Sequence, residues 1–173
     1  MTGIDTAAHA VERLFERHAD EIYQYVRLTL GDAIEAEDLV QDIFLDALRS
    51  WPTFQGRSAE RTWLWAIARY KLVDRLRQRV RRPMQPMVEM GGPRGTGLED
   101  VATLVDLERS LQQLPTAQRQ VFILRMVQDR PSSEAAELLG WSPVKVRVTL
   151  HRALKALESQ MNGGITEQGS GTP

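Results

Sequence analysis

The sequence predicts an all-α chain of two small helical domains joined by a flexible linker. Two blocks of apolar residues recur every three or four positions, the spacing of helix faces buried against a core. Between them, residues 83–98 turn to Pro, Gly and Met without a period of either helix or strand. No run alternates as a strand would. The expected division is a first domain over residues 1–82, a linker over 83–98, a second domain over 99–161 and a disordered tail over 162–173.

Each element follows from its local pattern. Val11, Leu14, Phe15, His18, Ile22, Tyr25 and Val26 mark a first helix from about residue 7 to Leu30, which Gly31 and Asp32 end. Leu39, Val40, Ile43, Phe44, Ala47 and Leu48 mark a second, closed at Trp51-Pro52 because proline disfavours helix in the residue before it. A loop follows from Phe54, and a third helix is expected from near Ser58 past Arg77, with Trp63, Ile67, Val73 and Leu76 facing inward. Beyond the linker, Val101, Leu104, Val105, Leu111 and Leu114 form a helix that breaks at Pro115, and Thr116 to Gln128 form the next. Ser132 or Ser133 is expected to cap a short helix that stops at Gly140. Ser142 caps the last helix, with Pro143 in its first turn, where a missing N–H costs nothing. Val146, Leu150, Leu154 and Leu157 should face inward from it, and Lys145, Arg147, Val148, Thr149 and Arg152 outward.

Composition excludes several classes of function. The chain has no cysteine, so disulfides, thiolate metal sites and thiol catalysis are ruled out. His9, His18 and His151 are too scattered for a ligand set, and no metal or other cofactor is expected. The first residues lack a basic start followed by an apolar run, and no stretch approaches the roughly 20 apolar residues of a membrane span. The net charge of −1 conceals a strong separation. Residues 1–56 hold eleven acids against four cations, whereas residues 57–82 hold nine cations against Glu60 and Asp74.

That basic run, with rings at Trp51, Phe54, Trp63, Trp65 and Tyr70 in or beside it, suits unpaired nucleic acid, which calls for cations along its backbone and flat faces for its bases. Residues 132–154 have the form of a helix-turn-helix, whose second helix offers cations for phosphates and short side chains for base edges. Glu35, Asp38, Asp42 and Asp46 form an acidic stripe on the second helix, better suited to solvent or a partner than to catalysis, since no His, Cys or phosphate loop lies beside them.

Taken in order, EAEDLVQDIFLDALRSW, FQGRSAERTWLWAIARYKLVDRLRQR and LQQLPTAQRQVFILRMVQDRPSSEAAELLGWSPVKVRVTLHRALKAL resemble regions 2.2, 2.3 to 2.4 and 4 of the extracytoplasmic-function (ECF) sigma factors. The resemblance implies a region 2 helical bundle and a region 4 helix-turn-helix. It implies no enzyme, but a cytoplasmic specificity subunit that binds bacterial core RNA polymerase and promoter DNA and is held in check by an anti-sigma factor. By the same resemblance Asp38, Leu39, Gln41, Asp42 and Phe44 bind core polymerase. Arg57, Arg61, Arg69, Tyr70, Lys71, Arg75 and Arg77 bind the melted −10 element. Ser142, Lys145, Arg147, Val148, Thr149, His151 and Arg152 read the −35 duplex. The chain departs from the usual pattern at Tyr70, where Asn is common, at Val148 and Thr149, where an Arg is often found, and at Ala135 and Ala136, where a bulky aliphatic is more usual and whose small size would loosen the second core. A stand-alone helix-turn-helix regulator is the alternative that the residues themselves allow. A nucleic-acid enzyme using the carboxylate stripe is a weaker one.

Overall fold

The computed structural model describes residues 3–82 and 98–166, with side chains described over 6–82 and 104–163. Seven helices are present among them, with no strand. The expected linker falls almost entirely on residues 83–97, outside the described ones.

Helix α1 spans Gly3–Leu30 and α2 spans Ala33–Ser50. The link between them is two residues because Gly31 adopts φ 72°, a left-handed conformation that closes α1 through a Gly31 N–H bond to the Arg27 carbonyl. Asp32 then caps α2, accepting the Glu35 N–H at 2.9 Å. Trp51-Pro52 ends α2 in a single 3-10 turn, and α3 runs over Glu60–Arg81. The three helices close on Leu14, Ile22, Tyr25, Val26, Leu39, Ile43, Leu64, Trp65 and Leu72.

Trp63, expected inside, is only half-buried; Trp65 takes the core place at 1% exposure. The inward stripe of α3 is Leu64, Trp65, Ala68 and Leu72, one residue out of phase with the expected one. Burial of an indole also needs a partner for its N–H, and Trp65 Nε1 donates to Glu21 at 3.1 Å. Val73, Ile67 and Leu76 are likewise only half-buried.

In the second unit, α4 spans Leu98–Gln113, α5 Thr116–Phe122, α6 Ser132–Leu139 and α7 Pro143–Thr166. One π turn, Ile123–Val127, extends α5, with the Gln128 N–H reaching the Ile123 carbonyl. Neither serine caps α6; the N-cap position falls to Pro131, and Ser132 is already helical. Gly140 stops it in the left-handed region, as expected. Ala135 and Ala136 are core residues, packed with Leu138 and Leu139.

On α7 the inward stripe is Val146, Thr149, Leu150, Ala153 and Leu157, so two expectations fail. Thr149 is buried, whereas Leu154, one position past the stripe, is exposed. The helix also continues to Thr166, past the point where the tail was expected to begin, because no left-handed turn forms at Gly163. Residues 167–173 lie outside the described ones.

Candidate nucleic-acid and partner interfaces

Helix α2 presents one exposed face. Asp38, Gln41 and Asp42 lie on it, but Leu39 and Phe44 do not: at 2% and 7% exposure they face the core. As direct contacts of a partner these two are corrected; they hold the helix in place instead. Ile34, Leu45 and Leu48, which the sequence reading did not place on this face, are exposed as well. With Asp38 and Gln41 they fall at i, i+4, i+7, i+11 and i+14, one helical row. Leu48 was counted with the buried stripe because apolar residues at helical spacing are read as core by default. Phe15 of α1, also exposed, stands edge-on to the buried Phe44 at 4.9 Å.

The acids of α2 and the cations of α3 pair across the helix interface. Lys71, Arg75 and Arg79 recur every four residues and so line one face of α3. Lys71 Nζ lies 2.8 Å from Asp46. Arg75 reaches three carboxylates, Asp38 at 3.1 Å, Glu35 at 3.5 Å and Asp42 at 3.7 Å. Arg79 pairs with Glu35 and donates to the Leu30 carbonyl at 2.8 Å, at the end of α1. The Lys71 ammonium holds the Asp46 carboxyl below its ordinary range, with Arg49 assisting.

The outward face of α3 carries Tyr70, which is 72% exposed, with exposed Arg77 and Arg81 seven and eleven residues on. Arg57 is exposed in the preceding loop, beside Gly56 at φ 66°. Trp51, Phe54 and Trp63 form a ring cluster at centroid separations of 5.1 to 5.6 Å, which anchors the base of that loop.

Arg61 and Arg69 point the other way, against the second unit. Glu21 of α1 is the centre of a charged cluster that takes in Arg61, Arg130 and His18, while Glu134 of α6 lies 2.6 Å from Arg61 and 2.5 Å from Arg130. Burial works to lower the Arg61 pKa, but Glu21 and Glu134 outweigh it and leave it raised. Thr62 donates to Glu137 at 2.8 Å, and Arg69 donates to the Leu138 carbonyl at 3.1 Å, near the C-terminal end of α6. A Cβ on Gly140 would lie 2.6 Å from Arg69 Nη1, so a side chain there would push the guanidinium tip aside.

The C-terminal end of α1 is shared between the two units as well. Its carbonyls at Leu28, Thr29 and Leu30 accept from Gln112, Arg119 and Arg79 respectively, which satisfies acceptors a helix end otherwise leaves to water.

On α7, Ser142 Oγ accepts the Lys145 N–H at 3.2 Å and Pro143 occupies the first turn, so the expected cap is present. Lys145 Nζ sits 3.9 Å from the centre of the Trp141 ring, a cation held over an aromatic face. Arg147, Val148, His151 and Arg152 are exposed along the same helix; Thr149 is buried beneath them and is corrected as a surface contact. Among the described residues no group of three or more His, Asp or Glu is placed to hold a metal ion, and no helix is long and apolar enough to cross a membrane.

Two segments of the chain match known family models. Residues 14–82 match the Sigma-70 region 2 family, and residues 104–157 match the Sigma-70, region 4 family. The ECF RNA polymerase sigma factor SigX of Bacillus subtilis is 32% identical, over 86% of this chain and 81% of its own length. RNA polymerase sigma factor YlaC of the same organism is 31% identical, over 92% of this chain and 96% of its own. Among solved structures, CnrH in complex with the cytosolic domain of CnrY superposes with a TM-score of 0.67 at 25% identity, covering 92% of this chain and 95% of that one. The sigma factor RpoE in complex with the anti-sigma factor NepR from Bartonella quintana shares the fold, with a TM-score of 0.72 at 21% identity over 87% of this chain and 96% of that one.

Proposed function

We infer the working parts of this chain from its family: it belongs to the ECF RNA polymerase sigma factors, and it directs promoter-specific transcription initiation. Its partners are core RNA polymerase, promoter DNA and an anti-sigma factor. It acts by binding and carries no catalytic group of its own; phosphodiester chemistry belongs to the polymerase beside which it works in the cytoplasm. The stand-alone regulator is not favoured, because that reading leaves the region 2 match without a purpose.

The observation that carries the assignment of parts is the division of exposed side chains. The row Ile34, Asp38, Gln41, Leu45 and Leu48, with Asp42 at its margin, docks on core polymerase. Apolar residues rimmed by acids are what a partner helix with a mixed surface would bury. Arg57, Tyr70 and Arg77 meet the melted −10 strand, Tyr70 by stacking and the arginines through phosphates. Arg61 and Arg69 join them once the second unit moves away, since α6 occupies both here. Ser142, Lys145, Arg147, Val148, His151 and Arg152 lie against the −35 duplex, with Val148 able to meet a thymine methyl.

Multi-round transcription from genomic templates with bacterial core polymerase, with and without this protein, tests the function. Stimulated initiation at defined start sites is the expected result. No stimulation on any template, combined with tight duplex binding by the protein alone, would overturn it.

A further inference from the structure

Resting on that reading, we propose that Arg75 is a positioning residue of the polymerase-docking face, and that the −10 strand is met without it. Its guanidinium lies within 3.1 to 3.7 Å of Asp38, Glu35 and Asp42, carboxylates spread over two turns of α2. The side chain is 20% exposed, whereas those of Asp38 and Asp42 are 64% and 45% exposed. The arginine is therefore the inner member of the network and the two aspartates the outer ones. Each aspartate spends one oxygen on Arg75 and stays open to solvent, whereas Glu35 gives its second oxygen to Arg79.

Three carboxylates converging within two turns repel one another, and a lone acid on an exposed helix samples several rotamers. A fork that binds several at once offsets the repulsion and fixes the direction of each carboxylate before the partner arrives, which lowers the ordering cost of docking. Lys71 and Arg79 extend the ladder to Asp46 and Glu35 and keep α3 in register with α2.

The same geometry removes Arg75 from the DNA. Viewed down α3, Tyr70, Arg77 and Arg81 share the outward side, while Lys71, Arg75 and Arg79 face α2. A strand lying along the outward side meets the first group only. A sequence reading merges the two because both are runs of cations in one helix; only the carboxylates across the interface separate them.

The test uses the full chain with core polymerase. Arg75→Gln is expected to weaken core binding, measured by fluorescence competition, about three- to tenfold, in keeping with the loss of a small ion-pair network. Arg75→Lys, which keeps the charge and loses the fork, should fall between Gln and wild type. At saturating core, the Arg75→Gln holoenzyme should bind a single-stranded −10 oligonucleotide with the same salt dependence as wild type. Arg77→Ala should lower that slope by about 0.7, one phosphate contact fewer on a single strand. A slope lowered by Arg75→Gln, or core binding unchanged by it, overturns the proposal. A wild-type chain that binds neither core nor oligonucleotide overturns the functional reading itself, and the proposal with it. Arg75→Lys carries the same comparison if Arg75→Gln does not fold.

Discussion

Replacement of Arg119 by leucine probes a dense set of polar contacts that ties α1 to the second unit. Its guanidinium donates to four carbonyls: Leu111 at 2.8 Å, Gln112 and Leu114 each at 3.0 Å, and Thr29 of α1. No carboxylate among the described residues pairs with it, and burial, with Arg79 nearby, lowers its pKa. The carbonyls come from two helix C-termini, where a cation meets the negative end of the helix dipole. Adding about 1.5 to 3 kcal/mol for each charge-assisted bond would overstate the effect, because leucine also relieves the cost of burying an unpaired cation. Most of what remains is the cost of leaving buried acceptors without donors, about 1 to 3 kcal/mol apiece before water returns to the helix ends. A net loss of about 2 to 4 kcal/mol follows, or a fall in Tm of about 5 to 15 °C for a chain of this size. Urea denaturation followed by far-UV circular dichroism and by tryptophan fluorescence measures it. Arg119→Lys, which keeps the charge without the fork, should lose roughly half as much. A loss for Arg119→Leu below about 0.5 kcal/mol would refute the argument, since it would mean that the four carbonyls find donors equally well without the arginine.

Other expectations are as specific. Burial pushes the Tyr25 hydroxyl pKa well above its usual value of about 10, against the opposing pull of Arg69 and Gln120. The neutral form is thus favoured in the fold, and this contribution to stability is present below about pH 10 and lost as pH rises through the folded value. Tyr25→Phe should flatten the alkaline limb of a stability-versus-pH curve and, because the hydroxyl has no well-aligned hydrogen-bond partner, cost less than about 1 kcal/mol at neutral pH. Trp65→Ala should cost about 3 to 5 kcal/mol and Trp63→Ala clearly less, measured by the same denaturation; equal losses would contradict their different burial. Lys145→Ala with Arg147→Ala should weaken binding to a −35 duplex and lower its salt slope by up to about 1.8, with core affinity unchanged. A fall in core affinity would place the second unit in the docking face.

How much of this was legible in the sequence depended on whether a signal was local. Gly31, Gly140, Ser142 and Pro143 act through their own backbone or that of the next turn, and the structure uses each as expected, whereas Asp32, expected to help end α1, caps α2 instead. The faces of α3 and α7 were harder, because a stripe read one residue out of phase is still periodic. Trp63 for Trp65 and Leu154 for Thr149 are errors of that kind. Leu39 and Phe44 sit in a motif tied to polymerase binding, and the motif could not tell the residues that touch a partner from those that hold the helix. Least legible were the pairings across the chain. Nothing near Glu21 announces that Arg61 and Arg130, at 40 and 109 residues' distance, will converge on it. The sequence showed charge in abundance, but not which opposite charge each residue would meet.

The contacts of Thr62 and Arg69 with α6 bear on how the chain responds to its ligands. On the proposed assignment, a strand cannot engage Arg61 and Arg69 while α6 occupies them, so strand binding and separation of the units are two descriptions of one equilibrium. Its apparent affinity for a strand is reduced by the fraction of molecules that are closed. By reciprocity, any partner that prefers the separated form raises strand affinity by the factor that a strand raises its own, with no contact between the two ligands. A few hydrogen bonds at the end of a short helix thereby become a term in the binding constant of every ligand that must part the two units.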